Sequence, residues 1–159
     1  MPLEIGDTVR NIKLYNQNKE LINLINDKTN FTVIAFLPGA FTQLCSIGIN
    51  QIDSYIDDLN NEKVTLVGVS VDSPFTLASW GEQNNIRFDL LSDFKRECIS
   101  ELDVSFNDLG GIKGYIAANR AIMIFNKSGT LIHKWVGEHP GNEPDYTKLL
   151  ETIKLLEMN

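Results

Sequence analysis

Cysteine, histidine and basic residues are scarce in this sequence. It has 2 Cys and 2 His, and its 14 Lys and Arg stand against 21 Asp and Glu, which gives a formal net charge of −7. Two cysteines are too few for the disulfide framework of a small secreted protein. The Cys and His residues also lack the close spacing of structural zinc ligands, so we expect no metal. An acidic surface repels nucleic acid and anionic membranes, so neither is an expected partner.

Long hydrophobic runs are also absent. No apolar stretch approaches the ~18 residues of a membrane-spanning helix, and MPLEIGDTVR at the start lacks the apolar core of a signal peptide. These absences predict a cytoplasmic protein whose cysteines are free thiols. The chain has 159 residues, 43% of them hydrophobic and 22% charged, without an internal repeat or a linker. It is therefore predicted to form a single domain over residues 1–159.

Predicted strands and helices alternate along the sequence. Apolar and β-branched runs predict strands over 31–37, 64–71, 88–91, 121–125 and 130–136, after a short strand pair within 9–24. Apolar positions at helical spacing and capping residues predict helices over 43–59, 74–84, 93–102 and 146–156, and glycines predict a loop over 108–118. This order predicts a three-layer α/β fold in which helices flank a mixed central β-sheet.

The segment FLPGAFTQLCSIG, residues 36–48, follows a predicted central strand, where ligand sites of open sheets lie. A helix that begins near Thr42 places Cys45 in its first turn, where free N–H groups and the helix dipole favour a thiolate. Thr42 can turn its hydroxyl toward the sulfur and cap the helix, and Pro38 lets the loop cover the thiol. An inert buried cysteine is the alternative, which position alone does not exclude. Gly48 rules out a C-x-x-C pair.

The pattern Pro38-x-x-x-Thr42-x-x-Cys45 after a buried strand resembles the active-site signature of the peroxiredoxins, the alkyl hydroperoxide reductase/thiol-specific antioxidant family. The resemblance covers roughly residues 3–156 and includes 64–80, 88–104 and 119–129. It implies a thioredoxin-like fold, with a mixed central sheet flanked by helices in three layers. It also implies a peroxidase that reduces hydrogen peroxide and organic hydroperoxides through a cysteine sulfenic acid.

The resemblance also implies residue roles. Cys45 corresponds to the peroxidatic cysteine, Thr42 to the residue that hydrogen-bonds the thiolate and the peroxide, and Pro38 to the cover over the sulfur. Arg120 corresponds to the fixed positive charge beside the thiolate, although without the resemblance it would be interpreted as a surface arginine. The expected partners are a hydroperoxide substrate, a thiol reductant (a thioredoxin-like or glutaredoxin-like protein or a small thiol) and a second copy in a homodimer. No cofactor is implied.

Gly48 departs from the family pattern, and the role of Cys98 is open. Family members commonly have Glu where this chain has Gly48, so one link of the network that orients the arginine is predicted to be missing. Cys98 is a candidate resolving cysteine, but Phe94, Cys98 and Leu102 share one helix face, which favours a core residue. A one-cysteine mechanism with an external thiol therefore leads. A redox sensor or binding protein that uses Cys45 without efficient turnover is the alternative, and an inert scaffold is a third possibility.

Overall fold

The computed structural model describes residues 2–158, apart from the side chain of Leu44. Within them, the strands are β1 (Lys13–Asn16), β2 (Leu21–Asn23), β3 (Phe31–Phe36), β4 (Val64–Ser70), β5 (Asp89–Ser92), β6 (Ser105–Phe106), β7 (Ala117–Ala118), β8 (Ala121–Asn126) and β9 (Leu131–Val136). Seven of these strands form one mixed sheet in the order β2-β1-β5-β4-β3-β8-β9, and β6 pairs with β7 separately. The α-helices are α1 (Gln43–Asp53), α2 (Ile56–Leu59), α3 (Pro74–Gln83), α4 (Glu97–Glu101) and α5 (Tyr146–Glu157).

The centre of the sheet is β3. It pairs in parallel with β4 and antiparallel with β8, so neighbours cover both of its edges. Its sequence FTVIAF is apolar on both faces and is buried from Thr32 to Phe36, as expected for a strand with structure on either side. Because side chains alternate along a strand, Val33 and Ala35 point to one core and Ile34 and Phe36 to the other.

The two faces of the sheet carry different layers. Buried residues of α1, α2, α3 and α5 form one core with the first face, and Cys45 belongs to it. On the second face, α4 with Cys98 packs together with segments near the start of the chain and around residues 102–118. These layers confirm the predicted fold class, a three-layer sandwich with a mixed central sheet.

The boundaries differ from the prediction in places with a local cause. The helix predicted over 43–59 is divided into α1 and α2, because the Ser54 hydroxyl bonds the Gln51 carbonyl at 2.6 Å and Tyr55 leaves the helical region. The helix predicted from Asp93 begins only at Glu97, because Arg96 is left-handed (φ 63°). The predicted loop over 108–118 contains β7, which pairs with β6. Among the described residues, every helix is too short or too polar to cross a membrane.

Candidate active site

The segment singled out in the sequence forms the wall of a cavity at the carboxyl end of β3. The cavity has a volume of about 530 Å³. Its lining comes from the loop before α1, from the 109–115 segment and from the loop after β9: Pro38, Gly39, Ala40, Thr42, Gln43, Cys45, Asp72, Leu109, Gly110, Ile112, Tyr115, Arg120, Pro140 and Gly141. All of the sequence-predicted site residues (Cys45, Thr42, Arg120 and Pro38) border this one space.

Cys45 is the third residue of α1 and is completely buried. The first N–H groups of a helix have no partner within the helix, so the sulfur lies where partial positive charge gathers. Arg120 Nη2 donates to Cys45 Sγ at 3.3 Å. A fixed cation and a helix start therefore both act on the same sulfur atom.

Arg120 immediately precedes β8 and is only 2% exposed. Its backbone N–H donates to Asn119 Oδ1 at 2.9 Å, and its carbonyl accepts from Gly137 N at 2.9 Å. Its Nε donates to Pro140 O at 3.1 Å. The guanidinium thus lies between the loop after β9 and the sulfur. A buried guanidinium needs partners on several sides, and its planar fork supplies donors toward each.

Thr42 occupies the N-cap position of α1 with an extended backbone, but its side chain makes no capping bond. The expected capping hydroxyl bond is therefore wrong, because Thr42 Oγ1 donates to Gly39 O at 2.7 Å instead. That bond closes the loop over the site, and buried Pro38 lies in the same loop. The hydroxyl proton is donated to the Gly39 carbonyl, so the Thr42 oxygen offers lone pairs to whatever enters the cavity.

Sequence reasoning missed the residues that hold this loop. Asp72 Oδ2 accepts from Ala40 N and from Ser70 Oγ, each at 2.8 Å, so a carboxylate after β4 fixes the loop after β3. Trp80 is 1% exposed, and its Nε1 donates to Ser46 Oγ at 3.2 Å beside Cys45. The signal for Asp72 was available, since it ends a strand parallel to β3 at the same edge of the sheet.

The loop after β9 and the start of α5 also reach the site, which the sequence did not indicate. A Cβ atom placed on Gly48 would lie 2.9 Å from Arg120 Nη1, 3.2 Å from the Tyr146 hydroxyl and 3.7 Å from Glu143 Oε1. Burial raises the pKa of Tyr146 to about 12; the charge of Arg120 opposes that rise and the charge of Glu143 reinforces it. Glycine at position 48 therefore faces a charged, buried cluster.

Cys98 lies elsewhere. It is completely buried in the core on the second face of the sheet, whereas Cys45 is buried in the first. Burial, with the charges of Asp93 and Glu101, raises the pKa of the Cys98 thiol, so the thiol form persists. Asp93 accepts from the N–H groups of Cys98 and Ile99, at 3.1 and 2.9 Å. Cys98 is a core residue in this structure, as its helix face predicted.

Comparisons with known proteins agree on one family. Residues 5–134 match the model of the AhpC/TSA family. Alkyl hydroperoxide reductase E of Mycobacterium tuberculosis is 29% identical over 131 residues, which cover 81% of this chain and 82% of that protein. Thiol peroxidase of Helicobacter pylori is 25% identical over 153 residues, which cover 96% of this chain and 90% of that protein.

The fold agrees with this match. A peroxiredoxin-like protein from Aquifex aeolicus superposes with a TM-score of 0.86 at 23% sequence identity, covering 98% of this chain and 89% of that one. The matched region contains the strand, the loop and the helix start that carry Cys45, together with Arg120 and the strand that follows it. The chain therefore belongs to the AhpC/TSA family of peroxiredoxins.

Proposed function

We propose that the protein reduces hydrogen peroxide and organic hydroperoxides at Cys45 and that external thiols then reduce Cys45. As a peroxiredoxin it is a thiol-dependent peroxidase. The observation that carries the assignment to Cys45 is the 3.3 Å contact between Arg120 Nη2 and Cys45 Sγ at the base of a cavity. A buried thiol against a buried guanidinium stabilises negative charge on the sulfur, and the thiolate is the nucleophilic form.

The reaction at this site consists of attack on the peroxide, oxidation of the sulfur and protonation of the leaving group. The thiolate attacks the terminal oxygen of the hydroperoxide, an S–O bond forms and the O–O bond breaks. The sulfur is oxidised to a sulfenic acid, and the leaving alkoxide or hydroxide takes up a proton to become an alcohol or water. Arg120 stabilises charge on the breaking O–O unit. Thr42 Oγ1 donates its own proton in a hydrogen bond to Gly39 O, so its oxygen is free to accept a hydrogen bond from the peroxide O–H.

We propose a one-cysteine cycle. An external thiol attacks the sulfenic acid to form a mixed disulfide and water, and a second thiol releases Cys45. The position of Cys98 supports this cycle, since the central sheet stands between the two sulfur atoms. The reductant is a thioredoxin-like or glutaredoxin-like protein or a small thiol. Both cysteines are free, which fits a reducing compartment, and we propose the cytoplasm.

Organic hydroperoxides are included as substrates because part of the cavity wall is apolar. Leu109, Ile112 and Tyr115 come from one short segment, and Ile112 is 62% exposed although it is apolar. An alkyl group placed against this wall removes apolar surface from water. We also propose a homodimer, as the family resemblance implies. Exposed Phe41 and Phe75 provide apolar surface that a second copy can cover.

The test is peroxide consumption with a thiol donor, followed for the wild type and Cys45→Ser. We expect repeated turnover by the wild type and none by the variant. Intact mass after one equivalent of peroxide, with a sulfenic-acid trap, should show one trapped group on Cys45. Oxidation of Cys45 once without turnover by any thiol donor would instead indicate a redox sensor. No reaction of Cys45 with peroxide would overturn the peroxidase assignment.

A further inference from the structure

The side of Arg120 that faces away from Cys45 is unusual in its surroundings. Nε and Nη2 donate to Pro140 O and to Cys45 Sγ. Nη1 points over the backbone of Gly48, where even a single added carbon atom would approach it to 2.9 Å. Real Cβ atoms do not sit this close to a neighbour. The guanidinium therefore occupies the volume that a side chain at position 48 would fill.

Two polar groups from a distant part of the chain border the same space. The Tyr146 hydroxyl and Glu143 Oε1 lie 3.2 and 3.7 Å from the position of that added carbon. Tyr146 is the first residue of α5, whose N-cap Asp145 accepts from the N–H groups of Thr147 and Lys148. Pro144 restricts the backbone of Glu143. Both side chains are thus presented by a short, well-defined segment.

Glu143 Oε1 is a buried carboxylate oxygen that makes no hydrogen bond within residues 2–158. Such an oxygen is costly unless a positive charge compensates for the lost water. The Arg120 guanidinium borders the same space, and although no direct ion pair joins it to Glu143, it is a positive charge near this oxygen. A carboxylate on one side and a thiolate on the other would hold the guanidinium between two negative charges.

We propose that Glu143, together with the Tyr146 hydroxyl, positions the Arg120 guanidinium against Cys45, and that Gly48 leaves the room for this arrangement. The proposal rests on the proposed function for its kinetic readout. The acidic side chain that the family pattern places on α1 is replaced in space by one from the loop before α5. The network that orients the arginine is therefore relocated, and the missing link predicted from Gly48 is supplied from another element.

The sign of the effect separates positioning from a plain charge effect. If Glu143 acted only as a nearby negative charge, its removal would favour the Cys45 thiolate and speed the reaction of Cys45. If Glu143 holds Arg120 in place, its removal lets the guanidinium move from the sulfur and slows that reaction. A misplacement near the reacting atoms costs about 10- to 100-fold in rate.

The experiment compares Glu143→Gln with Glu138→Gln, which removes the same charge from an exposed residue of the same loop. We would measure the rate of Cys45 oxidation by hydrogen peroxide and the pH profile of Cys45 alkylation by iodoacetamide. We expect Glu143→Gln to lower the peroxide rate about 10- to 100-fold and to move the alkylation profile to higher pH. Glu138→Gln should match the wild type, and Glu143→Asp should recover part of the rate.

Two further variants approach Arg120 from other sides. Gly48→Ala should displace Nη1 and slow the peroxide reaction by a similar factor, although alanine favours a helix over glycine. If Gly48→Ala slows the peroxide reaction without lowering the free energy of unfolding, the slowing is an effect of positioning. Tyr146→Phe removes only the hydroxyl and should slow the reaction less than Glu143→Gln does. If Glu143→Gln does not fold, Tyr146→Phe and Gly48→Ala test whether the groups around Nη1 position Arg120.

These experiments distinguish failure of the role proposed for Glu143 from failure of the proposed peroxidase function. A wild type that reacts with peroxide no faster than a free thiol overturns the peroxidase assignment, while the alkylation profiles still report whether Glu143 holds Arg120. A fast wild type with an equally fast or faster Glu143→Gln overturns the role of Glu143 alone. Gly48→Ala with wild-type kinetics would contradict the role of the free space.

Discussion

At the residue scale, Arg120 is the group whose chemistry is most constrained. It is a buried cation whose hydrogen bonds reach a backbone carbonyl, Pro140 O, and a sulfur atom, Cys45 Sγ. Burying a guanidinium is costly unless its donors find partners, and Pro140 O and Cys45 Sγ are two such partners. Arginine can reach both partners at once because its donors form a rigid fork, which lysine lacks.

Replacing Arg120 with Lys therefore keeps the charge and removes the geometry. We expect Arg120→Lys to lower the rate of Cys45 oxidation by peroxide about 10- to 100-fold, and Arg120→Met to lower it further. Stopped-flow measurement with hydrogen peroxide tests both variants. The matched control is Arg87→Lys, an exposed arginine paired with Asp53. Wild-type kinetics in Arg120→Lys would show that charge alone is sufficient.

Thr42 gives a second prediction, based on the direction of its hydroxyl bond. Since Oγ1 donates to Gly39 O, the hydroxyl cannot also donate to the sulfur. Thr42→Val should thus slow oxidation by peroxide at least about 10-fold and leave iodoacetamide alkylation of Cys45 nearly unchanged. Thr42→Ser, which keeps the hydroxyl, serves as the control. Equal slowing of both reactions would mean that the hydroxyl stabilises the thiolate itself.

At the element scale, the site depends on where three elements meet: the start of α1, the residue before β8 and the start of α5. Helix α1 supplies Cys45 and, one turn later, the open backbone at Gly48. Helix α5 supplies Tyr146, whose buried hydroxyl borders Arg120. The ends of these elements meet around Arg120, so small changes at any of them reach the sulfur.

The junction with α5 makes stability depend on alkaline pH. Burial raises the pKa of Tyr146 to about 12, above the unfolded value of about 10. Between these values the folded state keeps a proton that the unfolded state has lost, so the free energy of unfolding falls as pH rises, by at most about 1.4 kcal/mol per pH unit. Tyr146→Phe should remove this part of the slope. Denaturant unfolding of both proteins between about pH 9 and pH 12 tests it, and parallel curves would contradict it.

The predictability of each element follows from whether its signal is local. β3 and α5 were predicted closely, because an apolar strand and a helical apolar face are written in consecutive residues. The division between α1 and α2 was missed, because it depends on one serine hydroxyl bond. The left-handed Arg96 that delays α4 has no sequence signature, since glycine is the residue that usually marks such a backbone.

The same distinction applies to the site. Pro38, Thr42 and Cys45 lie within eight consecutive positions after a strand, so their proximity in space was predictable. Arg120 was found only through the resemblance to a family, since its contact with Cys45 spans 75 positions. Glu143 was not found at all: its neighbourhood depends on the path of the loop after β9, which no periodicity encodes.

At the scale of the whole molecule, the sheet separates the two cysteines. Cys45 and Cys98 are both completely buried, in cores on opposite faces, with β3, β4 and β8 between them. Sulfur atoms in cores on opposite faces of a sheet cannot meet in the geometry of a disulfide unless a helix that carries one of them rearranges. The arrangement predicts that oxidation of one cysteine does not involve the other.

Cys98→Ala tests this prediction. We expect the variant to keep the wild-type rate of peroxide consumption and to lose on the order of 1 kcal/mol of unfolding free energy, because a buried sulfur is removed from the core. Intact mass after one equivalent of peroxide should show the trapped sulfenic acid in both proteins. An internal disulfide in the wild type that Cys98→Ala abolishes would show that α4 rearranges during turnover.

The position of the sheet also determines where the electrons that reduce the peroxide come from. With Cys98 on the far side, the chain stores no second reducing thiol beside Cys45. In the proposed one-cysteine cycle, thiols outside the chain supply both electrons for each peroxide molecule, one pair per cycle. Without a reductant, a sample should consume one peroxide per chain and stop. Its protective capacity in a burst of oxidant is therefore set by its copy number, and its sustained capacity by the supply of thiols.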